Sequence, residues 1–499
     1  MIKTSIRDIK VIGYYLGKII LDFGFIVFLP VIIGIIFKEK EPIWDFLLAS
    51  GLCFVLGALL TIFLKSEREI NWRQGLPLVC LVWLVAMFLS ALPLYLSKHY
   101  ASYLDACFEA MSGLATTGLT LTLDLDHLSF THNFFRHLLM FVGGQGIIVV
   151  ALSFLMRGAP GIFKMYVGEA REEKIFPNVI STARFIWLVS LVYLILGSTA
   201  LAIIGVCEGM KLSNALFNSI CIFMAGFDTG GFTPYSQNIG YYHSIFYELA
   251  TLNIMFLGTL NFKLHYAVLS GNRKEIFKNI ETVTFFITLM FTFFIVMLGL
   301  RQNKIYSSAI VYLRTGFYQL VSAHTGTGFS NIYSLQLIKE WPVMAWLGLI
   351  IAMGLGGAVC STTGGIKTLR IGIIFKSICQ DIRKILIPES AVSVGKFHHL
   401  QEIILDSKHV YLAFMITLFY ILIYFFGALV AVGLGYPFLE SLFESVSATA
   451  NVGLSCGITQ VGMPAILKVT YILQMWAGRL EFIAVFALIG FFIALLKEK

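Results

Sequence analysis

This sequence predicts an all-α protein that crosses a membrane many times, and three observations carry the prediction. Of its 499 residues, 58% are hydrophobic and only 13% charged, which lies outside ordinary soluble usage. Apolar runs of about 20 residues, enough to span a bilayer, recur along the whole chain. Lysine and arginine also alternate between loops as sidedness requires.

Ten runs read as spans: 12–36, 43–64, 75–96, 134–155, 185–206, 245–269, 281–300, 341–375, 409–434 and 466–496. The first is too long for a cleaved signal and no small-residue cleavage site follows it. With the N-terminus in the cytoplasm, inner loops collect 24 Lys+Arg and outer loops 8; Lys18, Arg136, Lys468 and Arg479 fall inside predicted helices. The threefold excess fixes the orientation, with both termini cytoplasmic. The net charge of +8 therefore sits mostly on inner loops and is not a nucleic-acid footprint. The eight cysteines are scattered without a CxxC pair, which argues against a disulfide framework or a zinc site. No nucleotide loop or nucleophile constellation occurs, so the chain does not read as an enzyme.

A glycine, then Leu or Phe, then Ser or Thr occurs four times: Gly118-Leu119-Thr120, Gly231-Phe232-Thr233, Gly328-Phe329-Ser330 and Gly453-Leu454-Ser455, spaced by 113, 97 and 125 residues. Each follows a spanning run and a short amphipathic piece, precedes another spanning run, and falls on the outer side. Phe108, Tyr318 and Phe443 stand ten residues before the first, third and fourth glycines, whereas Phe217 stands fourteen before the second. The second short helix is therefore expected to be a turn longer or differently anchored.

A helix-capping turn explains one such motif on its own. Four at equivalent places point to a pore. Irregular backbone at membrane depth persists only where protein or a water-filled cavity covers it. Glycine frees the backbone to aim carbonyls inward, and rings of carbonyls replace the hydration shell of a monovalent cation. Each short helix would also turn its partly negative C-terminal end toward the ion. The filter candidates are Thr116, Thr117, Gly118 and Leu119; Thr229, Gly230, Gly231 and Phe232; Gly326, Thr327, Gly328 and Phe329; and Asn451, Val452, Gly453 and Leu454. Glu109 and Glu444, equivalent in the first and fourth short helices, either draw cations to the entrance or hydrogen-bond the backbone around the filter.

This organisation resembles the Trk/Ktr/HKT superfamily of potassium transporters, and within it the bacterial TrkH type, over nearly the whole chain. The residues that carry the likeness are the four loops, the extra N-terminal helix pair (12–64), GGQGIIVV at 143–150, GLGGAVCSTTGGIK at 354–367 and GRLEF at 478–482. The resemblance implies four M1–pore helix–M2 repeats around a pseudo-fourfold pore, with bounds 1–73 for the helix pair and 74–170, 171–280, 281–390 and 391–499 for the repeats. It implies K+ as the transported ion, held at Thr117, Gly118, Gly230, Gly231, Thr327, Gly328, Val452 and Gly453. It implies a homodimer in the bacterial inner membrane with one pore per protomer, and a cytosolic nucleotide-binding ring of the TrkA type as partner. The basic loops at 157–184 and 367–408 would dock that ring or anchor on anionic membrane lipids. Asp228, His324 and Asn451-Val452 depart from the family pattern.

Two features lie below the loops. Glycine costs a helix interior about 1 kcal/mol relative to alanine, so Gly354–Gly365 is expected to break the second helix of repeat three. Either it forms an intramembrane gating loop, the family's feature at this place, or its small residues serve close helix packing. The gate candidates are Gly356, Gly357, Thr362, Thr363, Gly364, Gly365, Lys367 and Arg479. Lys367 reads equally as an inner-mouth charge or an ordinary interface lysine. Arg479, expected thirteen residues into the last helix, faces the pore or an ion-pair partner. A K+ symporter coupled to Na+ or H+ is the alternative to a channel. Symporters are often built from inverted repeats, whereas these repeats run parallel.

Overall fold

The computed structural model describes residues 6–149, 165, 167–169, 175–176, 178–302, 306, 308–388 and 394–497. The end of the predicted run 134–155, most of the loop 157–184, the repeat bounds at 170/171 and 390/391, and Lys499 lie outside them. Almost everything described is helical; a hairpin of Lys396–His398 and Glu402–Ile404 is the sheet.

The N-terminal pair is Ile6–Phe28 and Lys40–Phe63, joined by Pro30–Phe37. Four long helices follow, one opening each repeat as its M1: Trp72–Leu96, Val179–Cys207, Ile280–Gln302 and Ser407–Gly433. At 1.5 Å per residue each exceeds the roughly 30 Å hydrocarbon core. Local signals start them where the chain needs them. Asn71 and Gln74 form a reciprocal capping box on the first M1, and Asn178 caps the second. Among the described residues, six helices are long and apolar enough to cross a membrane, or up to eight if each bent pair counts as one span.

Each repeat then dips in with a pore helix and leaves with an M2. The pore helices are Tyr103–Leu114, Leu212–Phe227, the continuous Ala309–His324 with a π-turn at Tyr312–Phe317, and Phe438–Thr449. The second has 16 residues against 12 in the first and fourth, the extra turn expected from the displaced Phe217; the third spans 16 as well, although Tyr318 stands at the ordinary ten. Each M2 packs against the pore helix of the next repeat: Phe130–Gln145 on the second, Ile245–Thr259 on the third, Val343–Gly354 on the fourth, and Ala465–Arg479 back on the first. The terminal helix Ile483–Lys497 lies against the first M1. The four repeats thus close a ring.

The first, second and fourth M2 helices depart from their predicted runs, and the third is broken where its glycine-rich stretch was expected to break it. The runs 134–155, 245–269, 341–375 and 466–496 are not single helices. The first stops at Gln145 before Gly146, with φ of 91°. The second and fourth bend by 101° at Leu260–Asn261 and by 109° at Leu480–Phe482. The third is interrupted from Leu355 to Lys367. Arg479 is consequently the last residue of a 15-residue helix, not the middle of a long one. Close packing marks these ends. Gly143, Gly258 and Gly478 bring the first, second and fourth M2 helices so close that an added Cβ would strike the carbonyl oxygens of Leu114, Phe227 and Thr449. Those are the last residues of the three pore helices. Each of these glycines stands within the last three residues of its helix, so the close approach and the end of the helix coincide.

Alanine at Gly258 or Gly478 is therefore expected to lower stability by about 1–3 kcal/mol, as overpacking does. Thermal unfolding of the detergent-solubilised protein checks this. Gly51→Ala, where an added Cβ meets nothing within 4 Å, should leave the midpoint unchanged or raise it.

Candidate functional site

The four glycine motifs share one local geometry. Each pore helix ends four residues before its glycine, at Leu114, Phe227, His324 and Thr449. Left-handed backbone then occurs twice per loop, at Thr116, Thr229, Gly326 and Asn451 (φ 53°, 50°, 71° and 55°) and at Gly118, Gly231, Gly328 and Gly453 (φ 93°, 75°, 80° and 91°). Holding β-branched threonine there costs on the order of 1–3 kcal/mol. The loops are held by their own helices. The N–H groups of Thr117, Gly230, Thr327 and Val452 donate to carbonyls of Ser112, Ala225, Ser322 and Ser447 at 2.8, 2.7, 3.0 and 2.9 Å.

The loops also touch in cyclic order. An added Cβ at Gly118 would collide with the Gly230 carbonyl oxygen, at Gly231 with that of Thr327, at Gly328 with that of Val452, and at Gly453 with that of Thr117. Each oxygen belongs to the residue just before the next loop's glycine. Eight of the sixteen filter candidates make these contacts, and the other eight lie beside them in the same four loops. Leu119, Phe232, Phe329 and Leu454 are buried. Cavities of about 390 and 270 Å³ open above the ring, the first lined by Gly118, Gly328 and Gly453 and the second by Gly118 and Gly231.

The three departures from the family pattern all find partners. Asn451 Nδ2 donates to Thr117 Oγ1 and to the Met475 carbonyl, both at 3.0 Å, joining the fourth loop to the first. Gln145 Nε2 donates to Asp228 Oδ1 at 2.8 Å, and His324 Nε2 lies 2.9 Å from Thr288 Oγ1. Glu109 and Glu444 are fully buried and accept from the backbone N–H groups of Leu121 and Cys456 at 2.9 and 3.0 Å. That is bracing of the loops from behind.

Below the ring, Gly354–Lys367 forms a folded loop closed by Gly356 N–H to Ile366 O and Ile366 N–H to Gly354 O, at 2.8 and 3.1 Å. Thr362 Oγ1 lies 2.9 Å from the Phe227 and Gly258 carbonyl oxygens, Thr363 Oγ1 accepts the Gly357 N–H at 3.0 Å, and a Cβ at Gly364 would strike the Ala450 carbonyl. Gly356 and Gly365 face each other across the loop neck. Arg479 Nη1 donates to Thr362 O at 2.6 Å, and Nη2 to the carbonyls of Gly143 and Gly144 at 2.7 and 3.1 Å. The arginine thus spans from the loop to the first M2. Glu481 pairs instead with Arg370. Lys367 is buried and turns back to the carbonyl of Thr363. All eight gate candidates lie in or on this loop. Sequence reasoning missed Glu281, whose Oε1 accepts the Val359 N–H at 2.6 Å, and Asn238, whose side chain accepts the Ser330 N–H at 2.9 Å. A carboxylate at the start of a spanning run was the available signal for the first; Asn238 left none.

The profile of TrkH, a family of cation transport proteins, matches residues 44–493. The uncharacterized cation transporter MJ1485 of Methanocaldococcus jannaschii is 31% identical over 97% of this chain and 95% of its own length. The Trk system potassium uptake protein TrkG of Escherichia coli strain K12 is 28% identical, with 97% and 98% covered. The crystal structure of the potassium transporter TrkH from Vibrio parahaemolyticus matches with a TM-score of 0.80 over 97% of this chain and 98% of that one, at 24% identity, a likeness of fold. The family match and the spanning helices thus define a multi-pass membrane transport protein rather than an enzyme. The chain belongs to the TrkH family of cation transport proteins.

Thr362→Val is expected to loosen the loop. Losing about 1 kcal/mol of net hydrogen bonding should speed amide exchange of residues 356–366 about fivefold, read by mass spectrometry, with the first and fourth glycine loops unchanged.

Proposed function

We propose that this chain is a potassium-selective uptake channel subunit. K+ passes through the ring of four loops, with Thr117, Gly118, Gly230, Gly231, Thr327, Gly328, Val452 and Gly453 as its contacts, and the Gly354–Lys367 loop with Arg479 is the gate. The observation that carries the reading is the cyclic closure, in which four carbonyls at equivalent positions each meet the glycine of the neighbouring loop and join the four loops in one ring. That is the arrangement that replaces a cation's hydration shell. Relatives named as potassium uptake proteins over nearly the full chain support K+ as the ion. The same proposal covers the repeat bounds at 73/74, 170/171, 280/281 and 390/391, a homodimer in the bacterial inner membrane, cytoplasmic termini, and a cytosolic nucleotide-binding ring of the TrkA type held on the basic inner face beside membrane lipids. Parallel repeats favour a pore over a symporter coupled to Na+ or H+.

The test is flux of K+, Rb+, Na+ and Li+ into liposomes holding the purified chain. Gly118→Ser forces a side chain into left-handed backbone and against the Gly230 carbonyl. It should reduce K+ over Na+ discrimination at least roughly tenfold, the equivalent of about 1.4 kcal/mol; unchanged discrimination in the folded variant removes Gly118 from the filter.

The gate has its own readout. Unit charges 4 Å apart repel by about 4 kcal/mol at an effective dielectric of 20. Arg479→Ala, or deletion of Gly357–Thr362, should therefore raise basal flux by up to roughly three powers of ten with ion preference kept. Variants that fold and conduct no faster than the parent would place the barrier elsewhere.

A further inference from the structure

Behind the seam of the first and second loops lies a buried ion pair that the pore scheme does not use. Arg136, on the first M2, is 1% exposed, and Glu109, on the first pore helix, is 0% exposed. Arg136 Nε and Nη2 donate to Glu109 Oε1 at 2.8 and 2.7 Å. Glu109 Oε2 accepts the Leu121 N–H at 2.9 Å, and the Thr120 hydroxyl lies 3.0 Å from both carboxylate oxygens. The pair thus grips loop one just beyond Gly118.

The other edge of the guanidinium faces loop two. Nη1 reaches the Thr233 carbonyl at 3.5 Å, and the guanidinium carbon sits 4.1 Å from the centre of the Phe232 ring. Asn133, one turn earlier, accepts from Nη1 at 3.3 Å and donates to the Pro234 carbonyl at 3.0 Å. One helical turn therefore holds residues 120–121 of loop one and 232–234 of loop two. The matching pore-helix positions elsewhere brace their own loops without an arginine in the pair. Gln319 accepts from Ser330 at 3.1 Å and Glu444 from Cys456 N–H at 3.0 Å, each within its own repeat, and position 222 is isoleucine.

We propose that Arg136 is a positioning residue for ion selectivity: fixed by Glu109, its guanidinium sets the spacing of the first and second loops and so the width of the ring between Gly118 and Gly230. This rests on the reading of that ring as the filter. A planar fork that donates in two directions is needed, and lysine, a point charge on a flexible stem, cannot supply it. Removing one partner alone strands a buried charge, whereas neutralising both leaves a packed site.

The experiment compares parent, Gly118→Ser, R136K and the double variant E109Q/R136M in liposomes, reading the K+ to Na+ flux ratio beside thermal unfolding of each protein. R136K keeps the charge and the burial. It is expected to unfold near the parent's temperature while losing about tenfold in the ratio, as the forked contacts go. The double variant should fold and show the same loss, and it carries the test if R136K does not fold. If folded R136K and E109Q/R136M keep the parent ratio while Gly118→Ser loses it, the ring is the filter and Arg136 merely packs, which overturns the inference. If the parent does not discriminate, the filter reading falls and the inference with it.

Discussion

The contact on which the rest of the structure depends is between a glycine and the carbonyl of the residue preceding the next repeat's glycine. It occurs four times and returns to its start. No other residue fits, for two independent reasons: the backbone there has φ between 75° and 93°, and a methyl group would overlap the neighbour's oxygen. Everything outside the ring delivers these four short segments to one another. The pore helices end at a fixed distance from each glycine. The M1 and M2 helices wedge the pore helices apart and supply the apolar exterior.

Backbone this irregular, at membrane depth, must have its polar groups satisfied by protein. The ring achieves this in two layers. Immediately behind it, the pore helices accept the loop N–H groups, and Glu109, Gln319 and Glu444 take the segment just outside. Beneath it, the interrupted M2 of repeat three offers hydroxyls and amides to the carbonyl ends of its neighbours. Thr362 faces Phe227 and Gly258, and Ala358 N–H reaches Thr259. Arg479, at the very end of its helix, fills carbonyls from two repeats at once. The loop is therefore part of the fold's polar accounting.

The fourfold plan was legible because a motif that needs glycine for steric reasons leaves a residue identity behind it, and identities can be counted. Gly118, Gly231, Gly328 and Gly453 were found this way, and the long second pore helix followed from the displaced Phe217. The breaks at Gly146, Leu260–Asn261 and Leu480–Phe482 were not legible. Both halves of each M2 are apolar, so hydropathy runs straight through the bend; only the Gly/Ser/Thr-rich break in repeat three announced itself. Arg479 was recognised as costly, but its helix was drawn through it. Arg136 was seen only as a charge in a span, because its partner Glu109 lies 27 residues away on another helix and no local spacing joins them.

Since the ring is made by one chain, its quarters are free to differ. Where four identical subunits build a ring, any substitution enters it four times over and symmetry is kept at every step. Here a change at Asn451 alters one quadrant and leaves Thr116, Thr229 and Gly326 as they were. The quadrants have already diverged on that footing: a threonine, a threonine, a glycine and an asparagine occupy the same left-handed turn. Selection on such a chain works with quarter-sized steps, so the ring is open to gradual, lopsided adjustment that a homomeric ring does not permit.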